Sequence, residues 1–149
     1  MILKNSLLLS FLSIFIYLNG SAQVVSKESV LEQGLAYIRE GNLKEAIGAF
    51  KQSIHNEGEN APVLFYLGNA YFDQFYYDSA YYYFLKVLKL DTNHKGALFN
   101  SANVLVQMNK GKESLPLFTQ LIEMDAFAME SYFGWGKVHA QHGNTKLAR

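Results

Sequence analysis

The sequence contains no cysteine, which excludes a disulfide scaffold, thiol catalysis and a thiolate zinc site. An excess of either charge is missing as well, with 13 Lys and Arg against 13 Asp and Glu. No net field is therefore available to hold the chain on nucleic acid or on an anionic membrane. The longest uncharged apolar run, Leu7 to Leu18, has 12 residues, whereas a bilayer span takes about 20. No Gly-rich phosphate loop, G-x-S-x-G elbow or H-E-x-x-H pair occurs, and the carboxylates are scattered along the chain. These absences predict a protein that is not an enzyme and holds no cofactor. What is present is apolar material, for half the residues are hydrophobic and 22 of the 149 are aromatic. A core can form, and the length suits one domain or a short repeat array.

Residues 1–23 differ from the rest. Lys4 precedes the apolar run, and small or polar residues follow it. This is the layout of a secretory signal, and Gly20 and Ala22 fit the small-x-small site of a signal peptidase. The expected cut falls after Ala22 and leaves Gln23 at the new N-terminus, with no membrane insertion once residues 1–22 are gone; an uncleaved anchor is the alternative. With no cysteine near the cut, anchoring through a lipidated cysteine is excluded. The expected location is exported, periplasmic or secreted.

After residue 26 a period of 34 organises the chain. Gly34, Gly68, Ala102 and Gly136 share it, as do Ala46, Ala80, Ser114 and Ala148, and again Phe50, Phe84 and Phe118. Three columns in fixed mutual register indicate a repeated supersecondary unit. Apolar residues three and four apart, such as Leu64, Leu67 and Tyr71, then Ala80, Phe84, Val87 and Leu88, predict two helices in each unit. Turn signals stand at Gly41-Asn42, Asn109-Lys110-Gly111 and Gly143-Asn144 within units, and at Gly58-Glu59-Asn60 and Asp91-Thr92-Asn93 between them. Asn60 before Ala61-Pro62 predicts a capped helix start. Pro116 is expected near the first turn of its helix, where the lost hydrogen bond matters least. Small residues at one column let paired helices approach and leave room for the Phe of the second helix.

Leu64-x2-Leu67-Gly68-x2-Tyr71 followed by Ala80-x3-Phe84 resembles the tetratricopeptide repeat pattern at every position but the first. Gly34, Tyr37, Ala46 and Phe50 carry it in the first unit, and Ala102, Leu105, Ser114 and Phe118 a degraded form in the third. The family's proline near the unit's end is replaced by Gly58, Thr92 and Ala126. The resemblance implies an all-α solenoid of antiparallel helix pairs, with units at 27–60, 61–94, 95–128 and 129–149. The fourth stops at its position 21, and Tyr132, Phe133 and Trp135 on its helix need cover. A longer natural protein is expected, and self-association through the incomplete unit with it.

In the family the first helices line a concave groove. Carried over, one groove column reads Leu31, Phe65, Phe99 and Phe133; a second reads Leu35, Asn69, Asn103 and Lys137; a third reads Ile38, Phe72, Val106 and Ala140. The resemblance thus implies a partner-binding set of Phe65, Asn69, Phe72, Phe99, Asn103, Phe133 and Lys137. An apolar stripe edged by amides suits an extended or helical peptide. Some family members clamp a C-terminal carboxylate; Asn69 and Asn100 match the amides of that clamp, but Phe65, Glu130 and Gly134 stand where its cations belong, which disfavours such a ligand. The resemblance implies an exported scaffold for a protein or peptide partner or, alternatively, the outer sensory region of a signalling protein with a catalytic or DNA-binding part beyond residue 149.

Two further features bear on function. His139 and His142 form the one potential metal pair, yet His139 occupies the packing column of Tyr37 and Tyr71 and no third ligand is near in sequence, so no metal is expected. Eleven of the twenty residues 65–84 are Phe or Tyr, including Tyr81-Tyr82-Tyr83-Phe84. Four consecutive helical residues point in four directions and cannot all be core. Either some tyrosines form an interface, or they cover neighbouring helices with their hydroxyls in water.

Overall fold

A computed structural model of the chain describes residues 30–141. The signal segment at 1–22, its cut after Ala22, and His142 and Ala148 lie outside the described residues. Those residues form seven helices and no strand: α1 over 30–39, α2 Leu43–Glu57, α3 Ala61–Asp73, α4 Tyr77–Leu90, α5 Lys95–Gln107, α6 Gly111–Glu123 and α7 Ala128–Gln141. The architecture is all-α, in helix pairs that follow the 34-residue period.

From α2 to α7 each helix packs on the next in sequence. The backbones of α3 and α5, and of α5 and α7, also come close, whereas α2 and α4, and α4 and α6, do not. First helices thus crowd on one side and second helices spread on the other. The stack curves accordingly, with α3, α5 and α7 along its concave side.

The small-residue column works as its spacing implies. A methyl group added at Gly68 would lie 2.6 Å from the ring of Phe84, and one at Gly34 would meet the ring of Phe50. Phe50, Phe84 and Phe118 are fully buried. The fourth unit adds a contact that the column does not contain. Gly134, not Gly136, faces the Phe118 ring, where a methyl group would lie at 2.5 Å, so this glycine sets how closely α7 approaches the preceding unit. A methyl group added at Gly136 would meet no non-neighbouring group within 4 Å among the described residues.

Helix ends carry their own logic. The Asn60 side chain accepts from the Val63 N–H at 3.0 Å, with proline in the first turn of α3. His94 does the same for α5, its Nδ1 accepting from the Ala97 N–H at 3.1 Å. Pro116 is the sixth residue of α6, in the second turn rather than the first. It is exposed there, and the helix continues through it. The turns inside the units repeat in conformation as well as position: Gly41, Phe75 and Asn109, 34 residues apart, all adopt positive φ, at 78°, 63° and 59°.

Candidate concave interaction face

Two clefts open on the side formed by the first helices. The N-terminal one, about 390 Å³, spans three of them: Leu35 and Ile38 from α1, Tyr66, Asn69, Phe72 and Asp73 from α3, and Asn100 from α5. Asn100 Nδ2 donates to Asn69 Oδ1 at 2.7 Å. A carboxamide has two donors and an acceptor, so this bond leaves the Asn69 NH₂ and the Asn100 carbonyl for a further partner. Among the described residues Asp73 is the only charged one lining this cleft, so no described cation stands there for a carboxylate ligand.

The C-terminal cleft, about 430 Å³, lies between α5 and α7. Phe99, Asn103, Val106 and Gln107 form one wall, Met129, Glu130, Phe133, Gly134 and Lys137 the other, and Phe118 the floor. Phe127 packs against Phe99 with ring centroids 5.0 Å apart and planes tilted by 32°. On the α7 side the lip is bare, with Met129 82% and Phe133 73% exposed.

The expected groove residues divide between these clefts. Asn69 and Phe72 line the first; Phe99, Asn103, Phe133 and Lys137 line the second. Phe65 lines neither. Its ring packs 5.9 Å from that of Phe84 and 5.0 Å from that of His94, and a methyl group at Gly96 would meet it at 2.9 Å. It turns toward the junction of the second and third units because Gly96, at the start of α5, leaves space there. Asp73 and Gln107, each at the thirteenth position of its unit, a position the family resemblance also turns toward the groove, line the clefts as well. Tyr66 and Met129 line them without standing at a groove position, and Tyr66 adjoins Phe65 in sequence, which was the available signal.

The tyrosine cluster lies outside both clefts apart from Tyr66. Phe84 is core, Tyr81 and Tyr83 are half-buried, and Tyr82 is exposed beneath the Lys86 ammonium, 5.1 Å from its ring centroid. Tyr71 and Tyr83 stack at 5.5 Å, and Lys51 sits 5.6 Å over the Tyr71 ring. Burial pushes the Tyr83 and Tyr81 phenols above their ordinary range, and the neighbouring Tyr71 phenol raises Lys51. Lys86 is raised first by its ion pair with Glu59. His139 packs on Trp135 with ring centroids 4.1 Å apart. Among the described residues no group of three or more metal-ligating side chains occurs, and no helix is long and apolar enough to cross a membrane.

Helix pairs at a 34-residue period, small residues receiving buried phenylalanines, and first helices lining a concave face define a helical-repeat solenoid. Residues 61–94 match the tetratricopeptide repeat family model, and the described part of the chain has the fold of a tetratricopeptide-repeat solenoid. The fold is similar to a crystal structure of MamA, with TM-score 0.78 and 20% identity over 86% of this chain and 75% of that one. A double mutant of MamA RS-1 gives 0.77 and 22%, over 82% and 68%. A tetratricopeptide repeat protein from Parabacteroides merdae gives 0.74 and 16%; 82% of this chain is covered, and the match spans about half of that protein, 48%. No curated protein matches the sequence.

Proposed function

We propose that the chain is an exported protein-interaction scaffold that holds a peptide segment of a partner on its concave face. The observation that carries this reading is the N-terminal cleft, where apolar walls surround a bonded amide pair with a free donor and a free acceptor. A peptide backbone in extended form offers one N–H and one C=O per residue, and such a pair can meet both. Apolar side chains of the same peptide have Leu35, Ile38 and Phe72 to rest on. Export is supported by the pattern of residues 1–23. Selection of extended peptides from a displayed random library against the array tests the binding reading. Asn69→Ala and Asn100→Ala are each expected to weaken selected peptides about five- to tenfold, the range for losing one or two hydrogen bonds. Selected peptides that bind both variants as tightly as the parent array overturn it. Export is checked by mass spectrometry of the N-terminus, which is expected at Gln23.

A further inference from the structure

We propose that the C-terminal cleft is closed by a second copy of this chain, with the two α7 helices antiparallel about a two-fold axis at Phe133 and Gly134. This goes beyond partner binding, and it leaves the N-terminal cleft free.

The exposed face of α7 is complementary to its own reverse. Glu130 and Lys137 are seven residues apart, two helical turns less about 20°, so they share a face about 10 Å apart along the axis. Both line the C-terminal cleft, and neither has an ionic partner among the described residues. Their midpoint falls between Phe133 and Gly134. In an isologous pair residue i meets residue j while j meets i. Reversing a second α7 about that midpoint sets each Glu130 opposite the Lys137 of the other copy and leaves no like charges facing. At the axis the Phe133 rings of the two copies meet side by side, because the two-fold keeps both on the same edge of the helix pair. They cover a cleft floored by Phe118 and walled by Phe99. An unrelated partner needs no such symmetry in α7. Opposite charges equidistant from a point beside an exposed phenylalanine suit a self-pairing helix.

Sedimentation equilibrium of the full chain tests this. The expected result is a reversible dimer that weakens as salt is raised, because the charge pairs lie at the rim. Glu130→Lys and Lys137→Glu each create two like-charge contacts and are expected to weaken the dimer about tenfold or more. Carrying both changes restores opposite charges and is expected to return the affinity to within about threefold of the parent. Both side chains are exposed, and circular dichroism checks that the helices persist. The chain has no cysteine, so thiols can be placed singly. Phe133→Cys places two thiols within disulfide reach near the axis. Met129→Cys leaves its thiols about 13 Å apart along it. Oxidation is expected to link the first and not the second. A chain that stays monomeric to about 1 mM, single reversals without effect, a double change that does not restore the dimer, or equal linkage of both thiols overturns the proposal.

Discussion

The ring of Phe84 fills the space that a side chain at Gly68 would need, with its nearest carbon 2.6 Å from where a Cβ would stand. Two effects oppose each other in Gly68→Ala. Alanine favours a helix over glycine by about 1 kcal/mol, while overpacking a fitted core costs about 1–3 kcal/mol. Packing wins because Phe84 is fully buried and has nowhere to retreat. Denaturant melts are expected to show Gly68→Ala less stable by about 1 kcal/mol. Gly48, exposed in α2 with nothing within 4 Å, isolates the propensity effect, so Gly48→Ala is expected to stabilise by about 0.5–1 kcal/mol. If both changes shift the midpoint the same way, the Phe-into-Gly packing is not what joins the pair.

Phe75 supplies a second test. It adopts a φ of 63° at a turn where the equivalent residues are Gly41 and Asn109, and it is 75% exposed. A bulky residue is strained in that region, and its ring is not buried in return. Phe75→Gly is expected to raise stability by about 0.5–1 kcal/mol, since glycine takes this conformation freely but loses more chain entropy on folding. A loss of more than about 1 kcal/mol would mean that the ring's edge contact with Tyr77 outweighs the strain.

Alkaline pH reports on the stacked tyrosines. Burial raises Tyr83 and Tyr81, so the folded state holds these protons more tightly than the unfolded one. Below the ordinary phenol value of about 10 both states are protonated and this stability is fully present; it is lost as pH rises through the folded values. Lys51, raised by the neighbouring Tyr71 phenol, acts in the same direction. Melting midpoints measured from pH 8 to about 11 are expected to fall in the upper part of that window, and less steeply in Tyr83→Phe. An equal fall in that variant would assign the loss to other groups.

How far the fold was legible depended on which residues carried the period. Gly34, Gly68, Phe50 and Phe84 fixed the pairing of helices, because close approach admits few residue types. The turn inside the second unit carries no such mark. Gln74, Phe75 and Tyr76 contain no Gly, Asn or Pro, yet the chain turns there with the same positive φ as its neighbours, because packing on both sides overrides local preference. His94 as a helix cap was hidden for a similar reason, since imidazole is an uncommon choice where Ser, Asp or Asn usually serves. At the site, the columns located the concave face but not the direction of each ring. Phe65, Phe99 and Phe133 occupy one repeat position; Phe65 is half-buried against Phe84, Phe99 is half-buried in the C-terminal cleft, and Phe133 is exposed. What lies opposite each ring, Gly96 in one case and open solvent in another, is a tertiary fact that a single column does not contain.

That divergence shapes the last prediction. Phe65→Ala removes a ring packed on Phe84 and His94 and is expected to cost about 2–4 kcal/mol of stability. Phe84→Ala, from the fully buried core, is expected to cost about 3–5 kcal/mol and to affect binding only through unfolding. Phe72 lines the N-terminal cleft and keeps part of its surface open. If a peptide rests on it, truncation to Ala is expected to weaken capture of a selected peptide by about 1–3 kcal/mol, roughly five- to 150-fold, with a smaller loss of stability than in Phe84→Ala. Phe133→Ala, at a ring 73% exposed, is expected to leave the melt unchanged at concentrations where the chain is monomeric. Binding titrations run beside denaturant melts of the same variants separate these outcomes. If Phe72→Ala unfolds the array as severely as Phe84→Ala, or leaves every selected peptide bound as before, the N-terminal cleft is packing surface and the partner is held elsewhere.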